Sequence, residues 1–215
     1  MNLDQARFFM VEQQIRPWDV LDPQVLELLE KLPRHEFVAP SQKTLAYSDI
    51  ELPIGENQRM LHPKIEARIL QALDIDCEEH VLEIGTGSGY MTALLASLAK
   101  DVTTVELFES LQETAKSRLN AFNNIEFAIG DASQNWAGNQ RYDVIVFTGS
   151  VSELPQAYKD KLNLGGRLFA VIGYSPAMQA KLITRISEHE WLEESLFETD
   201  LTPLIHAEAK PRFQF

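Results

Sequence analysis

The residues best suited to chemistry lie in one short run and in two acids that follow it. Val81-Leu82-Glu83-Ile84-Gly85-Thr86-Gly87-Ser88-Gly89-Tyr90 joins an apolar strand-like stretch to the start of an apolar helical pattern. Glycines at Gly85, Gly87 and Gly89, with Thr86 and Ser88 between them, let the backbone turn sharply and let a ligand approach with no Cβ in the way. The dinucleotide-binding fingerprint requires a glycine at the position held here by Tyr90, so the spacing is G-x-G-x-G instead. Glu83 precedes the first glycine, and a carboxylate at the mouth of such a loop repels a pyrophosphate and attracts a cation. Glu106, followed by Leu107, ends the next strand-like segment, where a carboxylate accepts ribose hydroxyls. Asp131, followed by Ala132, comes after Gly130 at the end of the third, placed to receive an exocyclic amino group.

Three strand-end acids in order behind one glycine loop predict a ladder along the C-terminal edge of a sheet, where open α/β folds bind ligands. S-adenosylmethionine suits that ladder. It carries an ammonium, a sulfonium and one carboxylate, and it has no phosphate. A nicotinamide oxidoreductase is disfavoured by Tyr90 and by the lack of a hydride-transfer constellation.

Positioning this ladder needs alternating strands and helices, and the pattern from about His80 supplies them. Apolar runs at 81–84, 102–105, 125–129, 144–147 and 167–172 read as strands, and 90–98, 110–121 and 152–162 as helices. Strands spaced by helices imply βαβ units. Residues 181–187 and 191–201 flank a polar turn and read as an antiparallel pair closing one edge. Upstream, 3–15, 23–31 and 64–73 carry helical patterning, while Pro33, Pro40, Pro53 and Pro63 punctuate an extended or looped stretch. The expected fold is Rossmann-like α/β: a mainly parallel twisted sheet with helices on both faces. Residues 1–62 form a helical and looped cap on the same domain, and 63–215 form the ligand-binding core.

The chain has 215 residues, 45% hydrophobic and 24% charged, with a net charge of −13. That balance disfavours nucleic acid and anionic membrane surfaces as partners. The longest apolar stretch, around residues 91–99, is half a membrane span. One cysteine, Cys77, excludes an internal disulfide, and with no signal-peptide pattern a reducing cytoplasmic setting is expected. The five histidines are scattered without metal-ligand spacing, so no metal is expected. Cys77 reads as a small core residue, His35 as a packing or hydrogen-bonding residue, and Trp18, Trp136 and Trp191 as partly buried anchors.

Further motifs lie on both sides of the loop. Upstream are Met10-Val11-Glu12-Gln13-Gln14-Ile15, Pro33-Arg34-His35-Glu36-Phe37-Val38, Ala46-Tyr47-Ser48-Asp49, Leu52-Pro53-Ile54-Gly55 and Gln58. Downstream are Gly130-Asp131, Tyr142-Asp143-Val144-Ile145 and Leu164-Gly165-Gly166-Arg167-Leu168. With these, the chain over roughly residues 8–175 resembles the class I S-adenosylmethionine-dependent methyltransferases, and more closely the protein-L-isoaspartate O-methyltransferase family. The upstream motifs are the specific ones, since generic methyltransferases lack them. The resemblance implies methyl transfer from S-adenosyl-L-methionine to the free carboxylate of an isoaspartyl residue in a damaged protein or peptide.

The chain departs from that family on the acceptor side. After Gln58 the family has Thr-Ile-Ser and then usually Gln-Pro, whereas this chain reads Arg59-Met60-Leu61-His62-Pro63. Leu61 occupies the family's active-site serine position and donates no hydrogen bond. After the fourth strand the family has Thr-Ala-Ala, and here Thr148 is followed by Gly149 and Ser150. Arg59, Leu61, His62, Thr148 and Ser150 are therefore the acceptor-side candidates, and no residue is singled out as a catalytic base. Several readings stay open. Arg59 replaces the lost hydroxyls with a charge-assisted contact, or the acceptor is a different one such as a small molecule, or the chain binds cofactor without turnover. His62 is either a base for a less acidic nucleophile or a local loop residue. Tyr47 and Asp49 either line the cleft or bond loop to core.

Overall fold

The computed structural model describes residues 2–136 and 138–207. Helix α1 (Leu3–Met10) is capped by Asn2, whose side chain accepts from the backbone N–H of Asp4 and Gln5. It runs on through a π turn (Val11–Ile15), so the helical patterning of 3–15 is realised in two pieces, and a 3-10 turn (Arg16–Trp18) follows. Helix α2 (Pro23–Lys31) starts at an Asp22 cap with Pro23 in its first turn, where a missing N–H costs nothing. The proline-punctuated stretch is more ordered than its sequence suggests. It folds into 3-10 turns at Arg34–Phe37 and Pro40–Leu45, then a hairpin of β1 (Leu52–Gly55) and β2 (Gln58–Met60). Glu56 and Asn57 at its tip both have positive φ, 50° and 57°. That is the backbone a two-residue hairpin turn demands and asparagine tolerates well. Helix α3 (Pro63–Leu73) follows.

The core then alternates β3 (His80–Ile84), α4 (Tyr90–Leu98), β4 (Asp101–Glu106), α5 (Glu109–Arg118), β5 (Ile125–Ile129) and β6 (Tyr142–Phe147). It closes with α6 (Gln156–Asp160), β7 (Leu162–Tyr174), β8 (Ala177–Arg185) and β9 (Trp191–Thr199). The seven-stranded sheet has the order β5-β4-β3-β6-β7-β8-β9. Its first five strands are parallel, and β8 and β9 add antiparallel. Successive residues face opposite layers. Val81, Val144 and Phe169 join one apolar cluster with α3 and α4, while Leu82, Ile145 and Leu168 join a second with Tyr158 of α6. This is the expected α/β sandwich with its antiparallel edge. The order reverses between β3 and β6, which puts a ligand crevice at their C-terminal ends.

Three expectations are corrected. The helix expected over 152–162 shrinks to Gln156–Asp160, because Pro155 sets its start and β7 already begins at Leu162. The strand expected over 191–201 ends at Thr199. Cys77 is exposed rather than in the core, since it lies in a turn where the Glu79 N–H reaches the Asp76 carbonyl at 3.1 Å.

The N-terminal residues share the main core. Met10, Val11, Ile15, Leu26, Leu29 and Phe37 are buried in one cluster with Ile65, Leu70 and Leu95. Arg34, wholly buried, donates to the Ala46 and Leu61 carbonyls and pairs with Glu66. Arg118 of α5 donates at 2.9 Å to the carbonyls of both Phe37 and Ser88, tying this segment to the glycine loop. Among the described residues, no helix is long and apolar enough to cross a membrane.

Candidate active site

The loop between β3 and α4 adopts a backbone that needs its glycines. Gly85, Gly87 and Gly89 have φ of +98°, +52° and +84°. A Cβ at Gly85 would sit 2.4 Å from Thr148 Oγ1, and one at Gly87 would sit 3.1 Å from the Ile54 side chain across the crevice. The loop therefore presents bare backbone to the space between sheet and hairpin. Thr148, at the end of β6, fixes it from behind, with Oγ1 2.6 Å from the Gly85 carbonyl oxygen.

Glu106 organises the next rung. One carboxylate oxygen accepts from the N–H groups of Leu107 (2.9 Å) and Phe108 (3.0 Å), and the other from Gly87 N–H at 2.9 Å. A carboxylate offers about four lone pairs, so Oε2 keeps one for a ligand hydroxyl. Asp131 accepts from Ser133 N–H at 2.9 Å and lies 2.7 Å from His206 Nδ1. The Ser133 N–H, with help from His206, holds its carboxyl below the usual carboxylate range, so it is ionised at neutral pH.

These groups face a cleft with about 730 Å³ of free space, partly open to solvent. Of the sequence-derived candidates, Gly85, Gly87, Glu106, Leu107, Asp131, Ala132, Thr148, Arg59 and Leu61 line it. Thr86 and Ser88 line a smaller hollow beside it, again with Arg59 and Leu61. Gly89 packs behind the loop, where a Cβ would meet Ala115 at 3.1 Å.

Three candidates lie elsewhere. Glu83 is not at the mouth of the loop. It is fully buried beneath it, accepting from the hydroxyls of Thr92 (2.5 Å) and Thr104 (2.7 Å). Strand alternation sends it to the α4 side, and burial raises its carboxyl to about 8 against the pull of the two threonines. It is mostly neutral at pH 7 and offers no charge to a ligand cation. Ser150 is buried with its hydroxyl donated to the Leu201 carbonyl at 2.8 Å. His62 turns to Asp49, 3.3 Å away, which also pairs with Lys64 at 2.6 Å. Tyr47 likewise bonds His35 at 2.6 Å, so Tyr47 and Asp49 serve loop-to-core contacts.

The sequence reading missed one wall. Leu201, Thr202, Leu204 and Ile205 form a strap after β9 that closes the cleft. It is held by Ser150 N–H to the Thr202 carbonyl (3.1 Å) and Leu204 N–H to the Ser150 carbonyl (2.9 Å). The signal was Pro203, which cannot continue a central strand.

A model of the protein-L-isoaspartate(D-aspartate) O-methyltransferase family matches residues 7–209. A protein-L-isoaspartate O-methyltransferase of Syntrophus aciditrophicus is 40% identical over 189 residues, 87% of each chain. The chain belongs to this family. Another member, from Methanoculleus marisnigri, is 43% identical over 166 residues, 76% of each chain. Members of the family are S-adenosylmethionine-dependent methyltransferases. Two solved structures support the fold. A protein-L-isoaspartate O-methyltransferase matches with a TM-score of 0.78 at 24% identity, over 92% of this chain and 65% of that one. A Plasmodium falciparum protein described as a putative family member, in complex with S-adenosyl-L-homocysteine, matches with a TM-score of 0.76 at 19% identity, over 95% and 98% of the chains.

The cleft fits the family cofactor on its own geometry. It has Cβ-free backbone at Gly85 and Gly87, a lone pair on Glu106 at the second strand end and an ionised Asp131 at the third. The N–H groups of Gly87, Leu107 and Phe108 are taken by Glu106 and so are not available to a phosphate.

Proposed function

We propose that this chain methylates the free carboxylate of an isoaspartyl residue, with Arg59 holding the acceptor. The observation that carries this reading is the chemistry of the acceptor wall. Arg59 lines the cleft and, among the described residues, its guanidinium has no hydrogen-bond or ion-pair partner. Leu61 beside it is buried and apolar, and its carbonyl is committed to Arg34.

The bound cofactor supplies a methyl group on a sulfonium, a leaving group that needs no acid. Gly85 and Gly87 would take its amino-acid end, Glu106 a ribose hydroxyl and Asp131 the adenine amino group. Thr86, Ser88 and Gly89 shape the loop, and Leu107 and Ala132 flank the ring. The acceptor carboxylate is already ionised at neutral pH, so the chain needs no general base. Its work is alignment and exclusion of water. Residues 1–62 act as the cap for that purpose, with Ile54, Arg59 and Leu61 facing the cleft. Arg59 offers a charge-assisted contact in place of the hydroxyls that the family places at 59 and 61. Leu61, by contrast, leaves one side of the carboxylate without a donor.

The test is methylation of an isoaspartyl peptide by the wild type and by Arg59→Ala. A loss of about tenfold or more in kcat/KM, equal to about 1.4 kcal/mol, with S-adenosylhomocysteine affinity unchanged supports the reading. Equal turnover by both proteins overturns the role of Arg59. Leu61 also favours a second reading, in which the acceptor is another carboxylate such as a small molecule. Label appearing in the small-molecule fraction of a cell extract but not in isoaspartyl peptide would select it.

A further inference from the structure

The cofactor cleft does not end at the strap. Glu51, Leu201 and Thr202 line both that cleft and a second groove with about 960 Å³ of free space. The groove follows the C-terminal ends of β6 and β7, with Ser152, Tyr174 and Asp200 further along it. An acceptor whose carboxylate lies against Arg59 would extend past Glu51 into this space.

The two cavities differ in charge. Among the described residues, the charged side chains lining the groove are Glu51 and Asp200, with no Lys, Arg or His beside them. The other cleft acids are engaged, Glu106 by three backbone N–H groups and Asp131 by Ser133 and His206. Glu51 has no partner among the described residues, and Asp200 accepts from the Ser175 hydroxyl alone, at 2.8 Å. One uncommitted cation, Arg59, and one uncommitted anion, Glu51, thus face the same cleft. The pair is complementary to a ligand that carries a carboxylate and, next to it, a positive charge.

We propose that the groove beginning at Glu51 binds a cationic group of the methyl acceptor and so selects acceptors with a positive charge beside the methylated carboxylate. The inference rests on the carboxylate-acceptor reading. The cation has two possible sources: a lysine or arginine flanking the carboxylate in a peptide, or an amino group on a small acceptor.

A binding experiment separates this proposal from the reading beneath it, because it needs no turnover. Protein saturated with S-adenosylhomocysteine is titrated with two fluorescent isoaspartyl peptides that differ only in lysine or glutamate flanks. The lysine peptide binds about tenfold tighter or better, a discrimination of about 1.4 kcal/mol. The double variant Glu51→Gln/Asp200→Asn reduces that ratio to about twofold or less. Glu27→Gln/Glu30→Gln on α2 makes the same change in net charge at exposed positions and keeps the full preference. A β-aspartyl dipeptide with its amino group free or acetylated provides the small-acceptor arm. Discrimination in the dipeptides alone assigns the groove to a small amine. Equal binding in both pairs, or a preference that persists in the double variant, overturns the proposal. A loss of S-adenosylhomocysteine affinity of about tenfold in Glu51→Gln also overturns it, by placing Glu51 on the cofactor. If the preference holds but neither peptide is methylated, the isoaspartyl reading fails and the groove stands.

Discussion

At position 61 a leucine stands where the family resemblance implies a hydroxyl donor, and the consequence can be sized. One lost hydrogen bond to a charged group is worth roughly 1.5–3 kcal/mol, or about ten- to hundred-fold in rate if it acts in the transition state. Leu61→Ser, with Arg59 kept, is therefore expected to raise kcat/KM on isoaspartyl peptide by about that factor, measured against wild type. An unchanged or lower value would show that the arginine–leucine pair is matched to a different acceptor. Glu83 gives a second test at this scale. The native chain holds its proton up to about pH 8, whereas the unfolded carboxyl loses it near 4.5. The unfolded state thus binds fewer protons across that window, and stability from this group is full below 4.5 and lost as pH rises towards 8. Denaturant titrations from pH 5 to pH 8 should show wild type losing a few kcal/mol relative to Glu83→Gln, at about 1.4 kcal/mol per pH unit. Parallel profiles would contradict it. Residues whose position follows from the backbone were legible in the sequence: Gly85, Gly87, Glu106 and Asp131 all sit at or just past strand ends and line the cleft. Glu83, Ser150 and His62 were not. Their directions depend on Thr92 and Thr104, on the Leu201 carbonyl and on Asp49, which are distant in sequence or belong to other elements.

Elements with a strong period were read closely from the sequence. Helix α2, helix α4 and strand β5 occupy the residues that their apolar spacing predicts. Elements defined by contacts were not. The hairpin β1–β2 has only seven strand residues, Pro53 among them, and the strap over 200–207 has no period of its own. Both wall the cleft, so the sequence located the strand-end side of the cleft and singled out Arg59 and Leu61 without giving the hairpin or the strap its shape. Two predictions belong here. Gly85→Ala places a methyl 2.4 Å from Thr148 Oγ1 on a backbone with φ of +98°, and should weaken S-adenosylhomocysteine binding about tenfold or more by calorimetry. Unaltered affinity would mean that the loop backbone is not part of the cofactor site. Removal of residues 1–50 should abolish the cooperative thermal transition, because Met10, Ile15, Leu29 and Phe37 belong to the same buried cluster as Ile69, Leu70 and Leu95. A folded truncated chain with normal cofactor affinity would refute the covering role of that segment.

At the scale of the whole molecule, the sheet order and the charge distribution act together. The reversal between β3 and β6 opens one crevice, and the acids Glu106 and Asp131 end neighbouring strands on its rim. The hairpin brings the cation Arg59 over that crevice, and the strap divides it from an acidic groove. A chain with a net charge of −13 thus directs at this cleft one cation, Arg59, that is unpaired among the described residues. The order of strands and helices was legible because the period changes from 2 to 3.6 at each junction. The side of the sheet from which the cap approaches was not, since it is fixed by long-range contacts such as Arg118 with Phe37. The central claim, methyl transfer to an isoaspartyl carboxylate, is tested most directly with methyl-labelled S-adenosylmethionine and two peptides of one sequence, one with an isoaspartyl and one with a normal aspartyl residue. Base-labile label in the isoaspartyl peptide, reduced about tenfold or more by Arg59→Ala and absent from the aspartyl peptide, is the predicted result. Equal labelling of both peptides, or none in either with cofactor bound, would contradict it.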